Sequence, residues 1–261
     1  RGDPAGLCGD WLRQRTRSTR WRFELESAGR IREFSNDQYV SATRIIEPGH
    51  FRFSVIGERV LRLEERLGYT HKGIDKRFSE LSLLEGARLA GRVSGDSTVA
   101  YAWAYAMACE ALVEATPPMH AIWLRALFLE RERIANHLGD LAYLGNDGGL
   151  AFGLAQFMRL KEDVLRLNAR LFGHRYLMDV VIPGGVTRDL DRAALADLIA
   201  QCDYLDAEIN TLRSIYDEHA GLQDRFVSCG ALTKEVAQTL GVVGLAARAS
   251  GIPMDVRSGP G

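Results

Sequence analysis

The hydrophobic pattern changes from a β-type to a helix-type period near residue 70. Before that point, apolar and charged residues alternate over residues 21–26 and 51–55, a period of two that is typical of half-buried strands. Residues 56–59 can form a turn and residues 60–63 continue the alternation, which predicts a β-hairpin.

From about residue 73 onward the apolar spacing is helical. The pattern predicts helices over residues 73–80, 97–113, 118–144, 154–172 and 191–219. An extended piece at 177–182 and the loop Pro183-Gly184-Gly185 precede the last of these, and short helices are expected after residue 222. The predicted fold class is mainly α with a small N-terminal β portion, divided into a β-rich part at 1–70 and a helical domain at 71–261.

Composition narrows the possible classes of function. The 33 basic and 34 acidic residues give a formal net charge of −1, which excludes a strongly basic nucleic-acid-binding protein. No apolar run approaches ~18 residues, so no direct membrane span is expected. The cysteines Cys8, Cys109, Cys202 and Cys229 show no C-x-x-C spacing. This argues against a self-contained zinc or iron–sulfur site and favours reduced thiols in a cytosolic setting.

One side of the predicted helix 118–144 carries four polar side chains in a row. Glu130, Arg133, His137 and Asp140 follow one another at helical spacing, away from a broad apolar face. One hypothesis is a solvated face with local ion pairs. The other is a buried polar row that transfers protons or binds a partner.

Two further segments carry candidate chemistry. His71 lies in a glycine-flanked loop, where a lone histidine is either packed, solvated or functional. Residues 92–97, Arg-Val-Ser-Gly-Asp-Ser, lead into the helix that carries Tyr105, and Ser97 or Asp96 would serve as its N-cap. These residues alone indicate a globular, mainly helical protein without a specific activity.

Four segments resemble one known family, in order along about four-fifths of the chain. They are similar to the large subunit of energy-converting [NiFe] hydrogenases, including that of formate hydrogenlyase, and to the related 49 kDa-type quinone-site subunit of respiratory complex I. The segments are IEPGHFRFSVIGERVLRLEERLGYTHKGIDKR (46–77), LRALFLERERIANHLGDLAYLGND (124–147), PGGVTRDL (183–190) and ASGIPMDVR (249–257). The resemblance implies a hydrogenase-large-subunit-like helical fold.

The chain departs from that family at two metal-ligand positions. Hydrogenases of the family carry Arg-Val-Cys-Gly-x-Cys where this chain has Ser94 and Ser97. A serine hydroxyl is a hard oxygen and does not replace a soft thiolate on nickel or iron. The second cysteine pair of the family is expected beyond Gly261. The resemblance with these replacements implies that this chain binds no metal and holds no NiFe centre.

In the complex I branch of the family, a quinone contacts a histidine in a G-x-x-H-[RK]-G loop and a tyrosine in the following helix. Matched motif by motif, these positions fall on His71 and Tyr105, which would line one cavity with Ser94 and Ser97. The resemblance also implies that the polar row is a buried network or proton relay. That row comprises Glu130, Arg133, His137 and Asp140.

The resemblance implies a subunit of a membrane-associated oxidoreductase complex on the cytoplasmic face of the cell membrane. Its expected partners are a small subunit with a [4Fe–4S] cluster and membrane antiporter-like subunits, with quinone as the implied ligand and no nucleic acid. Two alternatives stay open, a non-catalytic scaffold subunit and a true nickel hydrogenase.

Overall fold

The computed structural model describes residues 32–33, 50–57, 59–66 and 71–254 of the 261-residue chain. The strand predicted at 21–26 lies outside the described residues. Elsewhere most residues are helical, and the strands form a small N-terminal sheet and a short two-stranded ribbon. The predicted fold class is therefore confirmed.

The N-terminal sheet contains the predicted hairpin. Its strands are β1 (Arg32–Glu33), β2 (His50–Ile56) and β3 (Arg59–Arg66), paired antiparallel in the order β1-β2-β3. Ser54 lies opposite Arg62, whereas Val55 lies opposite Val60, so Leu61 is an extra residue in β3. This irregularity has the form of a β-bulge, which increases the local twist of a hairpin.

The five helices predicted with bounds begin and end within three residues of the predicted positions. The helices of the described residues are α1 (Ile74–Phe78), α2 (Leu83–Ala90), α3 (Thr98–Leu112), α4 (Met119–Asp147), α5 (Ala151–Phe172), α6 (Arg192–Glu218), α7 (Ala220–Phe226), α8 (Lys234–Thr239) and α9 (Gly244–Ala249). Strands β4 (Val181–Ile182) and β5 (Gly185–Val186) form the ribbon. Among the described residues, no helix combines the length and the apolar character needed to cross a bilayer.

Helix α2 is absent from the predicted elements, although its start has a sequence signal. The Ser82 hydroxyl accepts from the Glu85 N–H at 3.4 Å, and the Glu85 carboxylate accepts from the Ser82 N–H at 3.1 Å. This reciprocal pair is a capping box of the Ser-x-x-Glu type. The helix buries Gly86, Ala87 and Ala90, a small-residue face that a search for large apolar residues overlooks.

The chain divides into two compact units. Of the described residues, the first unit comprises those up to Arg125 and residues 178–187, and the second comprises residues 126–177 and 188–254. Helix α4 begins in the first unit and continues in the second. This division does not coincide with the boundary predicted at residue 70, which stays a prediction.

The core of the second unit is formed by apolar side chains of α4, α5 and α6. Phe157 is almost fully buried and packs edge-on against Tyr216, with 5.2 Å between the ring centroids. The Tyr216 hydroxyl donates to the Leu141 carbonyl at 2.9 Å, so this core tyrosine has a hydrogen-bond partner. The buried members of the cluster are Ala135, Leu138, Ala142, Phe157, Leu160, Val164, Leu165, Leu205 and Leu212.

An arginine is buried in the same unit. Arg131 donates to the Asn168 side chain, to the Gln201 side chain at 2.8 Å and to the Val164 carbonyl at 3.3 Å. Its burial lowers the pKa of Arg131 to about 10. Neutral oxygens thus satisfy a guanidinium that has lost most of its hydration.

We expect Phe157→Ala to lower the free energy of unfolding by about 3–5 kcal/mol, because the lost contacts leave a cavity in the core. Phe152 lies on the same helix and is 48% exposed, so Phe152→Ala is the matched control and should cost much less. Urea unfolding followed by circular dichroism measures both. Equal costs would contradict the packing described.

Candidate functional site

Residues 92–97, which contain Ser94 and Ser97, form the serine segment between α2 and α3. An ion pair holds its first residue, Arg92. The Arg92 guanidinium donates to both carboxylate oxygens of Asp179, at 2.7 and 2.8 Å, and to the Arg88 carbonyl at 2.7 Å. Asp179 has a φ of +62°, in the left-handed region that non-glycine residues rarely adopt. The serine segment is therefore tied to the stretch before β4 by a two-pronged contact, the stronger geometry for an Arg–carboxylate pair.

A buried hydroxyl lies directly after the serine segment. Thr98 is 1% exposed, and its Oγ1 has no hydrogen-bond partner among the described residues. Buried polar atoms are normally paired, so an unpaired hydroxyl next to Ser97 is compatible with a polar ligand or an ordered water.

The donor set of this segment does not fit a soft metal centre. Ser94, Ser97 and Thr98 offer hydroxyl oxygens, which are hard and weakly acidic ligands. In the described ranges, no three or more His, Cys, Asp or Glu side chains lie close enough together to hold a metal ion. The same hydroxyls can hydrogen-bond to the carbonyl oxygens of an organic ligand.

Tyr105 is half-buried in the first unit, and its hydroxyl already has a hydrogen-bond partner. The hydroxyl donates to the Leu83 carbonyl at 3.1 Å, and the ring stacks on Phe78 with 5.6 Å between centroids. Burial raises the pKa of Tyr105, and the neighbouring Cys109 thiol adds to the rise. The hydroxyl therefore stays protonated at neutral pH.

His71 is exposed in the loop before α1. Gly73 follows it with a φ of +62°, and its carbonyl accepts from the Arg77 N–H at 3.1 Å, which starts the helix. The structure thus brings Tyr105 against Phe78, a residue of the short helix that begins soon after His71. The cavity predicted between these residues and the two serines stays a prediction.

The polar row of α4 is exposed in this chain, so the prediction of a buried network is wrong. Glu130, His137 and Asp140 are exposed, Arg133 is half-exposed, and Glu130 pairs with Arg133 one turn apart. Apolar residues such as Phe128 occupy the buried side of the helix, because burying four charged or polar groups would cost hydration. A role of the row in proton transfer stays a prediction.

The buried charges of the first unit lie elsewhere, on Glu110 and Arg125. Their side chains are 8% and 1% exposed and meet through two contacts, at 2.6 and 3.1 Å. The hydrogen bond from Arg125 is the main cause that lowers the pKa of Glu110. Burial opposes this effect, and the Gly184 N–H adds to it. The two residues lie 15 positions apart on different helices, so no local sequence pattern indicates that they pair.

The pair also contacts the turn between β4 and β5. Arg125 donates to the Ile182 carbonyl at 2.7 Å and, through Nε, to the Gly185 carbonyl at 3.2 Å. Glu110 accepts from the Gly184 N–H at 2.8 Å. The Pro183-Gly184-Gly185 loop is therefore fixed by a buried ion pair.

Two surface grooves of the second unit contain no residue predicted as a site. One of about 460 Å³ lies between α5 and α6 and is lined in part by Arg166 and Tyr204. The other, of about 550 Å³, lies at the start of α6 near Asp191. Both are open to solvent, and the candidate site therefore rests on the first unit.

Comparison with solved structures defines the class of fold. The chain superposes on a chain of the membrane-bound sulfane sulfur reductase, an archaeal respiratory membrane complex, with a TM-score of 0.80 and 23% identity. The match covers 91% of this chain and 62% of the other. The two chains therefore share a fold.

Comparison of sequences identifies the relatives. The family model described as "Respiratory-chain NADH dehydrogenase, 49 Kd subunit" matches residues 147–260. Formate hydrogenlyase subunit 5 of Escherichia coli (strain K12) is 30% identical over 213 residues, which are 81% of this chain and 37% of that protein. A subunit of the NADH-quinone oxidoreductase of Granulibacter bethesdensis is 33% identical over 202 residues, which are 77% of this chain and 50% of that protein.

A third relative is a subunit of the F(420)H(2) dehydrogenase of Methanosarcina mazei, 28% identical over 214 residues, which are 81% of this chain and 57% of that protein. The chain thus spans about half the length of the curated relatives it matches. The resemblance stated from the sequence is confirmed: the chain is similar to formate hydrogenlyase subunit 5 and to a subunit of NADH-quinone oxidoreductase, and residues 147–260 match the 49 kDa subunit family.

We expect Gly86→Ala to destabilise the first unit, because the added Cβ would lie 2.2 Å from the Tyr105 hydroxyl oxygen. Overpacking of this kind costs about 1–3 kcal/mol and outweighs a helix-propensity gain of ~1 kcal/mol. In a Tyr105→Phe background the destabilisation caused by Gly86→Ala should be smaller, because the clashing hydroxyl oxygen is absent. Gly91→Ala, whose Cβ would be in ordinary contact with Thr98, is the control in urea unfolding. An unchanged cost in both backgrounds would contradict this packing.

We expect the Glu110–Arg125 pair to make stability depend on acid pH. The pKa of Glu110 is lowered in the folded state, so its stabilising contribution is complete above the ordinary value of 4.5. The contribution is lost as the pH falls from 4.5 through the lowered pKa. At pH 7, Glu110→Gln should cost about 3–5 kcal/mol.

The gap between wild type and Glu110→Gln should narrow below pH 4.5 in urea unfolding series. The exposed Glu80 provides the control, and Glu80→Gln should leave the curve almost unchanged. A gap that is constant from pH 7 to pH 3 would exclude a charged Glu110 as its source.

Proposed function

We propose that the chain is part of a subunit of a membrane-associated oxidoreductase complex, without a NiFe centre, that contacts a quinone. The named relatives belong to NADH-quinone oxidoreductase, formate hydrogenlyase and F(420)H(2) dehydrogenase, and they support this class of function. Its proposed partners are a small subunit with a [4Fe–4S] cluster and antiporter-like membrane subunits. The complex would lie on the cytoplasmic face of the membrane.

The observation that carries the proposal is the chemistry of the serine segment. Ser94 and Ser97 replace the thiolates of the resembled hydrogenases, and the adjacent Thr98 hydroxyl is buried without a partner in the described part of the chain. Hydroxyl groups suit a neutral, oxygen-bearing ligand rather than nickel. A quinone is such a ligand and accepts two electrons and two protons.

His71 and Tyr105 are the proposed polar contacts to the two carbonyl oxygens. An imidazole and a phenol can each donate a hydrogen bond to a carbonyl and a proton to its reduced form. The raised pKa of Tyr105 keeps the phenol protonated, as a donor must be. For contact with a ligand, the Tyr105 hydroxyl would have to exchange its bond to the Leu83 carbonyl or share it.

The second candidate function is a non-catalytic scaffold subunit of the same kind of complex. The packing of Tyr105 favours it, because a hydroxyl bonded to Leu83 and a ring stacked on Phe78 already explain that residue structurally. A nickel hydrogenase is the third alternative. Stoichiometric nickel in elemental analysis of the purified complex would support that alternative and contradict the first proposal.

The decisive measurement is turnover of a soluble short-chain quinone by the reconstituted complex. We expect Tyr105→Phe and His71→Ala to lower kcat/KM by about 10²-fold or more, the scale of losing a proton donor. Tyr101 lies one turn earlier on the same helix and is 45% exposed, so Tyr101→Phe is the matched control and should turn over normally.

Absence of quinone turnover in the wild-type complex would favour the scaffold function. Equal losses in Tyr101→Phe and Tyr105→Phe would show that the effect is not specific to the proposed contact.

A further inference from the structure

The Glu110–Arg125 pair is an unusual use of charge in the first unit. Glu110 is the one charged residue in the sequence of α3, and Arg125 is among the largest fully buried side chains described. Burying both ions removes their hydration, a cost that their attraction must offset. A buried ion pair is stable when further hydrogen bonds satisfy its remaining donors and acceptors. In this pair, those hydrogen bonds go to backbone groups.

Those hydrogen bonds converge on the β4–β5 turn. The carbonyls of Ile182 and Gly185 accept from Arg125, and the N–H of Gly184 donates to Glu110. A Cβ added at Gly184 or Gly185 would meet nothing within 4 Å, so side-chain packing does not immobilise the outer side of this turn. The buried ion pair contributes to the order of this turn through hydrogen bonds to its backbone, in addition to the pairing of β4 with β5.

The same stretch is anchored at its other end to the serine segment. Asp179 receives both prongs of the Arg92 guanidinium, and Thr187 donates its hydroxyl to the Asp179 carbonyl at 2.9 Å. The Thr187 N–H also donates to the Val180 carbonyl at 2.9 Å, which closes the ribbon across its base. Residues 178–187 thus form an internally hydrogen-bonded segment that connects the Glu110–Arg125 pair with Arg92.

We infer that Glu110 and Arg125 are positioning residues. By holding the Pro183-Gly184-Gly185 turn they fix residues 178–187, and through Asp179 they fix Arg92 and the serine segment that follows it. The inference rests on the proposed function only for what the serine segment binds. The coupling itself is a property of the first unit and is measurable without a ligand.

The test is hydrogen exchange measured by mass spectrometry on the full chain, wild type against Arg125→Lys. Lysine keeps the charge but cannot bridge Glu110 and two carbonyls at once. We expect exchange at least about tenfold faster in peptides covering 180–187 and also in those covering 92–97, because both lose their anchor.

Arg131→Lys is the matched control, since Arg131 is a second buried arginine of α4 and its partners lie in the second unit. It should speed exchange in α5 and leave residues 92–97 unchanged. Should Arg125→Lys fail to fold, Glu110→Gln, which preserves side-chain size, is measured in its place with the same expectation.

Faster exchange at 180–187 with no change at 92–97 would overturn the inference, because the pair would then hold only the turn. A uniform rise in the exchange rate across both units would also overturn the inference, because it would show general destabilisation of the chain. In the reconstituted complex, Arg125→Lys should raise the quinone KM more than it lowers kcat. If the wild type lacks quinone turnover, the proposed function fails while the exchange result still decides the positioning role.

Discussion

The structure depends on the rule that a charge removed from water must be paired. Glu110, Arg125 and Arg131 are the charged side chains of the described residues that lie in the core. Each is satisfied by fixed partners, Glu110 and Arg125 by one another and by backbone groups, Arg131 by neutral oxygens. Because removal of one partner would leave an uncompensated buried charge, these contacts restrict where the connecting segments can lie.

A surface ion pair is part of the candidate site. The Arg92 and Asp179 side chains are each 43% exposed, and Asp179 adopts an uncommon left-handed backbone conformation. The two contacts with Asp179 tie the segment that contains Ser94 and Ser97 to the stretch before β4. Its hydroxyl groups and the buried Thr98 hydroxyl can hydrogen-bond to a polar organic group.

Sequence periodicity predicted most helices because their apolar faces are wide and repeat at helical spacing. Residues such as Leu124, Phe128 and Leu138 of α4 lie on the buried side as expected. Helix α2 escaped because its buried face is made of Gly86, Ala87 and Ala90, although the Ser82–Glu85 capping box was visible in the sequence. The burial predicted for the polar row was wrong for another reason. Periodicity grouped its members correctly and left a solvated face open, whereas the burial was implied by the family resemblance.

The sequence by itself determined the mainly helical fold class, the hairpin and the presence of serine at positions 94 and 97. It also contained the resemblance that the comparisons confirmed. Only the tertiary structure decided which arginines of α4 are buried. Arg125 and Arg133 have the same charge and helix propensity. However, Arg125 meets Glu110, 15 residues earlier, and Ile182, 57 residues later. Such partners are brought together by folding over long sequence separations, and no local pattern encodes them.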